Sequence, residues 1–180
     1  MSETAIRAEH LGKRCAGKEH FFITRSFDAP RELVWKAWTE PKRMAQWWGP
    51  TCFTNPVCEL DVRSGGAYRI VMRSPDGIDY PLKGVYREVV PPKLLVYTVD
   101  ISDHPKDWHG LLKQHLEGRP ADTSQPVVHK VSFEAEGAKT RVTIRQSFES
   151  AALRDAFVKM GMEQGWGQSL DRLADALKRA

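Results

Sequence analysis

The sequence predicts an α+β fold: a seven-stranded antiparallel sheet wrapped around a long C-terminal helix, with two short helices after the first strand. Three observations predict it. Apolar residues fall at helical spacing just after the first strand and again at the C-terminus. Between those regions the period changes to two. Strand and helix never alternate, so the crossover helices that parallel strands need are missing.

The first strand is HFFITRSF (20–27), rich in aromatic and β-branched residues. Asp28 and Pro30 then start a helix, RELVWKAWTE, with Leu33, Val34, Ala37 and Trp38 on one face. Pro41 ends it and opens a second short helix, EPKRMAQWWGP, which holds Trp47 and Trp48 and stops at Gly49-Pro50. Burying each of these indoles is worth about 4–6 kcal/mol as an upper bound. They need cover, from the core, a ligand or a partner. One is expected to pack inward against the first helix and the sheet, and the other to border a cavity entrance.

Period-two segments follow. FTNPVCELDV (53–62) contains Pro56, which suits an edge strand or a bulge. AYRIVMR (67–73) puts Tyr68, Ile70 and Met72 on one face, and Ser74-Pro75-Asp76-Gly77 turns the chain into YPLKGVYREVV (80–90). After Pro91-Pro92 comes KLLVYTVDI (93–101). The last two strands, PVVHKVSFEAE and KTRVTIRQSFE, form a hairpin across Gly137-Ala138. Val127, His129, Val131 and Phe133 share one face of it with Val142, Ile144, Gln146 and Phe148.

Ser150 caps a helix that runs to the C-terminus. Gly161, Gly165 and Gly167 lie inside it and weaken it by roughly 3 kcal/mol. Such a weakness marks a bend or a close backbone approach. The segment 101–125 is long for a connection. In it Trp108, Leu111, Leu112, His115 and Leu116 have the spacing of an amphipathic helix, which would cover the sheet edge or the cavity mouth.

Composition narrows function. The 180 residues are 41% hydrophobic and 28% charged, as in an ordinary globular protein. Residues 1–18 are expected to be a mobile tail and 19–180 one domain. No apolar run suits a membrane span or a signal peptide, so the expected location is the cytoplasm. The net charge is +4, but Lys and Arg alternate with acids instead of forming a block, which argues against nucleic acid. Cys15, Cys52 and Cys58 have neither disulfide nor zinc spacing. On a helix His109 and His115 point to opposite sides, so no metal is expected. No cofactor motif is present.

Five stretches together resemble a known family: FDAPRELVWKAWTEPKRMAQWWGP, ELDVRSGGAYRIVM, GVYREVVPPKLLVYT, VSFEAEGAKTRVTIRQSFES and MGMEQGWGQSLDRLADAL. They occur in the order seen in the START-like (SRPBCC) superfamily, in the branch named after the C-terminal domain of the heat-shock protein 90 ATPase activator. The resemblance spans residues 19–178. It implies a helix-grip fold with a cavity between sheet and C-terminal helix.

That cavity is expected to bind a small apolar or aromatic molecule, with Trp38, Trp48, Tyr68, Met72, Tyr86, His129, Phe133, Gln146, Phe157 and Trp166 as its lining. No catalytic residue is assigned. The first alternative is a cyclase or hydrolase acting in the same cavity, which needs a titrating group inside, such as His129 or the strand carboxylates Glu59, Asp61 and Glu88. These carboxylates also have Arg63, Arg69 and Arg87 as surface partners. The second alternative is a chaperone cofactor, as the branch name implies; a chaperone partner ranks below the small molecule. A homodimer stays open.

Overall fold

The computed structural model describes residues 19–180. The tail expected at 1–18, with Cys15, lies outside the described residues. The elements are β1 (Glu19–Phe27), α1 (Arg31–Thr39), α2 (Pro41–Met44), β2 (Thr54–Leu60), β3 (Ala67–Arg73), β4 (Asp79–Val90), β5 (Leu94–Val99), α3 (Lys106–Leu116), β6 (Val127–Glu136), β7 (Lys139–Phe148), α4 (Ala151–Lys159) and α5 (Met162–Lys178).

All seven strands form one antiparallel sheet in the order β1-β7-β6-β5-β4-β3-β2. Strands 2 to 7 form a meander. β1 closes the far edge by pairing with β7, from Glu19 opposite Phe148 to Phe27 opposite Thr140. α1 and α2 bridge the span from one edge to the other. Pro56 sits where the β2–β3 register slips between Thr54 and Val57, on an edge strand, so the proline costs no interior ladder bond.

Alternation sorts the residues. Ile23, Ile144, Val131, Leu95 and Ile70 face inward, and all but the half-buried Ile23 are essentially sealed from water. Against them lies α5, whose Trp166, Leu170, Leu173 and Leu177 recur at i, i+4, i+7 and i+11. Ser150 caps α4 by accepting from the Leu153 amide at 3.3 Å.

Three features depart from the sequence expectation. The C-terminal helix is two helices, broken at Gly161, whose φ of +87° favours glycine. Gly165 and Gly167 make no close approach, since an added Cβ would meet nothing within 4 Å. The bend is thus concentrated in one residue. The paired tryptophans lie just past α2, in a turn where both amides bond the Met44 carbonyl, at 3.2 and 3.1 Å. In α3 the buried stripe is Leu112 and Leu116, with Trp108 half-buried, while Leu111 is exposed. α3 packs against α4, with Leu112 and Leu116 joining the main core. Among the described residues no helix is long and apolar enough to cross a membrane.

Candidate functional site

α1 delivers Trp38 to the interior, and the turn after α2 delivers Trp47 and Trp48 beside it. The ring centres lie 4.8 Å (Trp38–Trp47), 6.1 Å (Trp38–Trp48) and 5.4 Å (Trp47–Trp48) apart. Trp166 of α5 stacks on Trp38 at 6.4 Å and meets Trp48 edge-on at 5.5 Å. Trp47 is fully buried, and its Nε1 donates to the Ala37 carbonyl at 2.9 Å.

Two side chains fix the turn. Asn55 Nδ2 donates to the carbonyls of Ala45 and Trp48 at 3.0 and 2.8 Å. Arg172 of α5 donates to the carbonyls of Trp48, Gly49 and Pro50 through Nη1 and to that of Gln46 through Nη2, at 2.9–3.2 Å. The carbonyls of the turn that follows α2 are thereby satisfied by a single cation. Partial burial lowers the guanidinium pKa from its ordinary value.

The sheet contributes three tyrosines. Tyr68, Tyr86 and Tyr97 contact one another with ring centres 5.5–5.9 Å apart. Tyr68 Oη donates to the Thr98 carbonyl at 2.7 Å. Gly84 makes this possible: a Cβ there would stand 1.9 Å from the Thr98 carbonyl oxygen and 2.7 Å from the Tyr68 ring. Burial raises the pKa of all three phenols, so they are neutral hydrogen-bonding groups near neutral pH.

Behind Tyr97 runs a buried polar chain. His129 Nδ1 lies 3.3 Å from Tyr97 Oη, and Gln146 Nε2 lies 2.8 Å from His129 Nε2. An amide nitrogen can only donate, so Nε2 accepts and the imidazole proton sits on Nδ1, directed at Tyr97. Burial pulls the His129 pKa down to about 3, so the ring is neutral. Gln146 Oε1 and Trp38 Nε1 are buried without a partner, one an acceptor and the other a donor.

Between the tryptophans and tyrosines is a cavity of about 10 Å³, whose walls include Trp38, Met44, Trp48, Tyr68, Tyr86 and Tyr97. That is about the room for one water. Four of the expected lining residues stand on it: Trp38, Trp48, Tyr68 and Tyr86. His129, Gln146 and Trp166 form the layer behind, with the His129 and Trp166 rings 5.9 Å apart. Phe133 packs on Trp35 and Trp38. Met72 lies near Gly49, and Phe157 contacts Trp108 and Phe148 instead of the tyrosines. Met44, Ile70, Leu95 and Tyr97 complete the cavity wall. Tyr97 reaches the cavity because the β4–β5 register sets it opposite Tyr86, and nothing in the sequence of β5 alone fixes that pairing.

The other candidates lie elsewhere. Glu59 and Glu88 are exposed, and Asp61 pairs with Arg63 at 2.9 Å. His104 and His109 flank Trp108 at 4.7 and 5.3 Å, and burial pulls the His104 pKa down to about 4. Among the described residues no group of three or more His, Cys, Asp or Glu could hold a metal ion. Cys52 and Cys58 are free thiols. A wider recess of about 450 Å³ between the end of α3 and α4 is open to solvent and bordered by the ion pairs Lys159–Glu117 and Arg119–Asp155.

Solved structures share this architecture. A protein from Arthrobacter aurescens superposes with a TM-score of 0.73 at 25% identity, covering 89% of this chain and 87% of that one. One from Nitrosomonas europaea gives 0.69 at 23%, covering 89% and 94%. One from Rhodobacter sphaeroides gives 0.72 at 18%, covering 94% and 97%. Among curated proteins none matches the chain. The model of the family described as activator of Hsp90 ATPase homolog 1-like protein matches residues 28–178. The antiparallel sheet closed over α5, the aromatic interior and this match together place the chain in that family, within the START-like superfamily.

Proposed function

We propose that this protein binds a small, uncharged, largely aromatic molecule in the interior between the sheet and α5. One observation carries the reading: Trp38 Nε1 and Gln146 Oε1 are buried without partners in an apolar interior rich in aromatic rings. Orphaned polar atoms in a core cost stability, and a ligand or water that reaches either of them would recover it. His129 and the three tyrosines are neutral there, so the interior favours an uncharged guest.

The resting cavity holds no more than a water, so binding requires the rings to part. Trp48 is the natural gate, because of the two tryptophans on the cavity wall it alone lies outside a helix, so its indole can swing while Asn55 and Arg172 hold the backbone of the turn. The open form is then a minor state that the ligand selects. Binding is favoured over catalysis, because an imidazole with a pKa near 3 is a weak base at neutral pH.

Trp emission tests this, since Trp38, Trp48 and Trp166 would all sense a guest. The full chain is titrated with a panel of neutral bicyclic aromatics while its thermal midpoint is followed. Saturable quenching with a raised midpoint is expected. Quenching that never saturates, with an unmoved midpoint across the panel, removes the reading.

A further inference from the structure

The groups around the interior cavity have a polarity, and the chain behind Tyr97 sets it. Gln146 Nε2 donates to His129 Nε2 at 2.8 Å, which leaves the imidazole proton on Nδ1, where it donates to Tyr97 Oη at 3.3 Å. Turning this chain round would require the amide to flip and the imidazole to change tautomer together. A phenol holds its proton in the ring plane, on one side of the oxygen or the other. With His129 on one side, the Tyr97 proton takes the other, where no acceptor meets it among the described residues. Tyr68 differs, because its proton is already spent on the Thr98 carbonyl at 2.7 Å.

A second unpaired donor is Trp38 Nε1. Trp38 and Tyr97 both stand on the cavity wall, and Trp48 adds a further N–H there. Gln146 Oε1 is an unpaired acceptor, but Gln146 is not on that wall. The Tyr86 hydroxyl can turn either way, so it imposes no preference. The wall thus offers donors in excess, and it carries neither a carboxylate nor a cation. An anionic guest would satisfy the donors but would lose its hydration without a counter-charge. A hydroxyl or amide guest would set its own proton against the two already unpaired.

We infer, on the reading of this interior as a binding site, that its guest is an aromatic carbonyl compound with an acceptor oxygen and no O–H or N–H of its own. Tyr97 Oη and Trp38 Nε1 are the donors offered to that oxygen. His129 and Gln146 are positioning residues that orient the Tyr97 proton.

Three probes of one shape test this by equilibrium dialysis against the full chain: 2-acetylnaphthalene, 2-isopropenylnaphthalene, in which a methylene replaces the oxygen, and the secondary alcohol of the same skeleton. The ketone is expected to bind about tenfold more tightly than either of the others. Tyr97→Phe keeps the ring, so it should remove most of the ketone's advantage and leave alkene binding in place. Gln146→Leu frees the tautomer, so it should shrink the ketone-to-alkene ratio with Tyr97 intact, which a loss of packing alone would not do. Equal affinities for the three probes, an alcohol that outbinds the ketone, or a ratio unchanged in either variant overturns the inference and leaves the interior a binding site of no set polarity. No binding of any probe overturns the reading of the interior and the inference with it. If Tyr97→Phe does not fold, the ratio in Gln146→Leu decides by itself.

Discussion

Replacing Arg172 with methionine keeps the aliphatic stem and removes the guanidinium that holds the tryptophan turn to α5. Four carbonyls lose a donor: Gln46, Trp48, Gly49 and Pro50. Nη1 has two N–H groups for three of these acceptors, so its bonds are shared and the four contacts are worth two or three full ones. A hydrogen bond to a charged group nets about 1.5–3 kcal/mol. The guanidinium is only partly buried, so each is discounted to about 1 kcal/mol. The expected loss is about 2–3 kcal/mol, or roughly 4–12 °C in melting temperature for a chain of this size. The substitution Arg172→Lys keeps the charge but replaces the planar fork with a compact head, so it should recover less than half of that loss. Urea unfolding followed by both circular dichroism and Trp emission measures it. A methionine variant within about 0.5 kcal/mol of the parent, or a lysine variant as stable as the parent, would refute the clamp.

Further outcomes follow from the same packing. Trp47→Phe leaves the Ala37 carbonyl without its donor, whereas Trp38→Phe removes an N–H that is already unpartnered; Trp47→Phe should be the costlier by about 1–2 kcal/mol in urea unfolding, and equal costs would contradict the assignment. The His129 pKa is depressed to about 3, against about 6.5 unfolded, so the unfolded chain binds the extra proton between those values. Stability therefore falls as pH is lowered from about 6.5 toward 3, by up to about 1.4 kcal/mol per unit. His104 adds a similar slope from about 6.5 down to about 4. His129→Gln should flatten urea midpoints compared between pH 7 and 5, and an unchanged slope would show that the ring is not held neutral. Gly84→Ala would drive a Cβ to 1.9 Å from the Thr98 carbonyl oxygen, so at least about 4 kcal/mol should be lost, and a soluble variant with parental melting would disprove the close approach.

Much of the fold was legible in the chain. Strands showed as period two, the first helix as Leu33, Val34, Ala37 and Trp38, and β2's edge position as Pro56. Of the paired tryptophans, Trp47 is fully buried with its Nε1 on the Ala37 carbonyl, and Trp48 stands on the cavity wall; which of the two took which place depended on the turn after α2. The candidate site was legible residue by residue but not as a volume. Each aromatic was recognisable as a wall, yet whether opposing walls touch depends on rotamers and registers from several elements at once. Phe157 and Met72 share inward spacing with true neighbours of the cavity and still lie apart from it, since periodicity gives a face and no position along it.

The sequence by itself determined the class of fold and the sidedness of β3, β6 and β7, because both follow from local hydrophobic spacing and from Gly and Pro acting on their own backbone. Tertiary structure alone decided which glycine breaks the C-terminal helix, how far the aromatic interior closes, and that Lys130 and Arg145 confront each other. These outcomes depend on contacts between residues far apart in the chain. Gly161, Gly165 and Gly167 look alike in sequence, but only the first adopts a left-handed backbone where α4 and α5 must turn. The cation pair exists only once β6 and β7 settle into register, and a slip of one residue would have turned one partner to the other face.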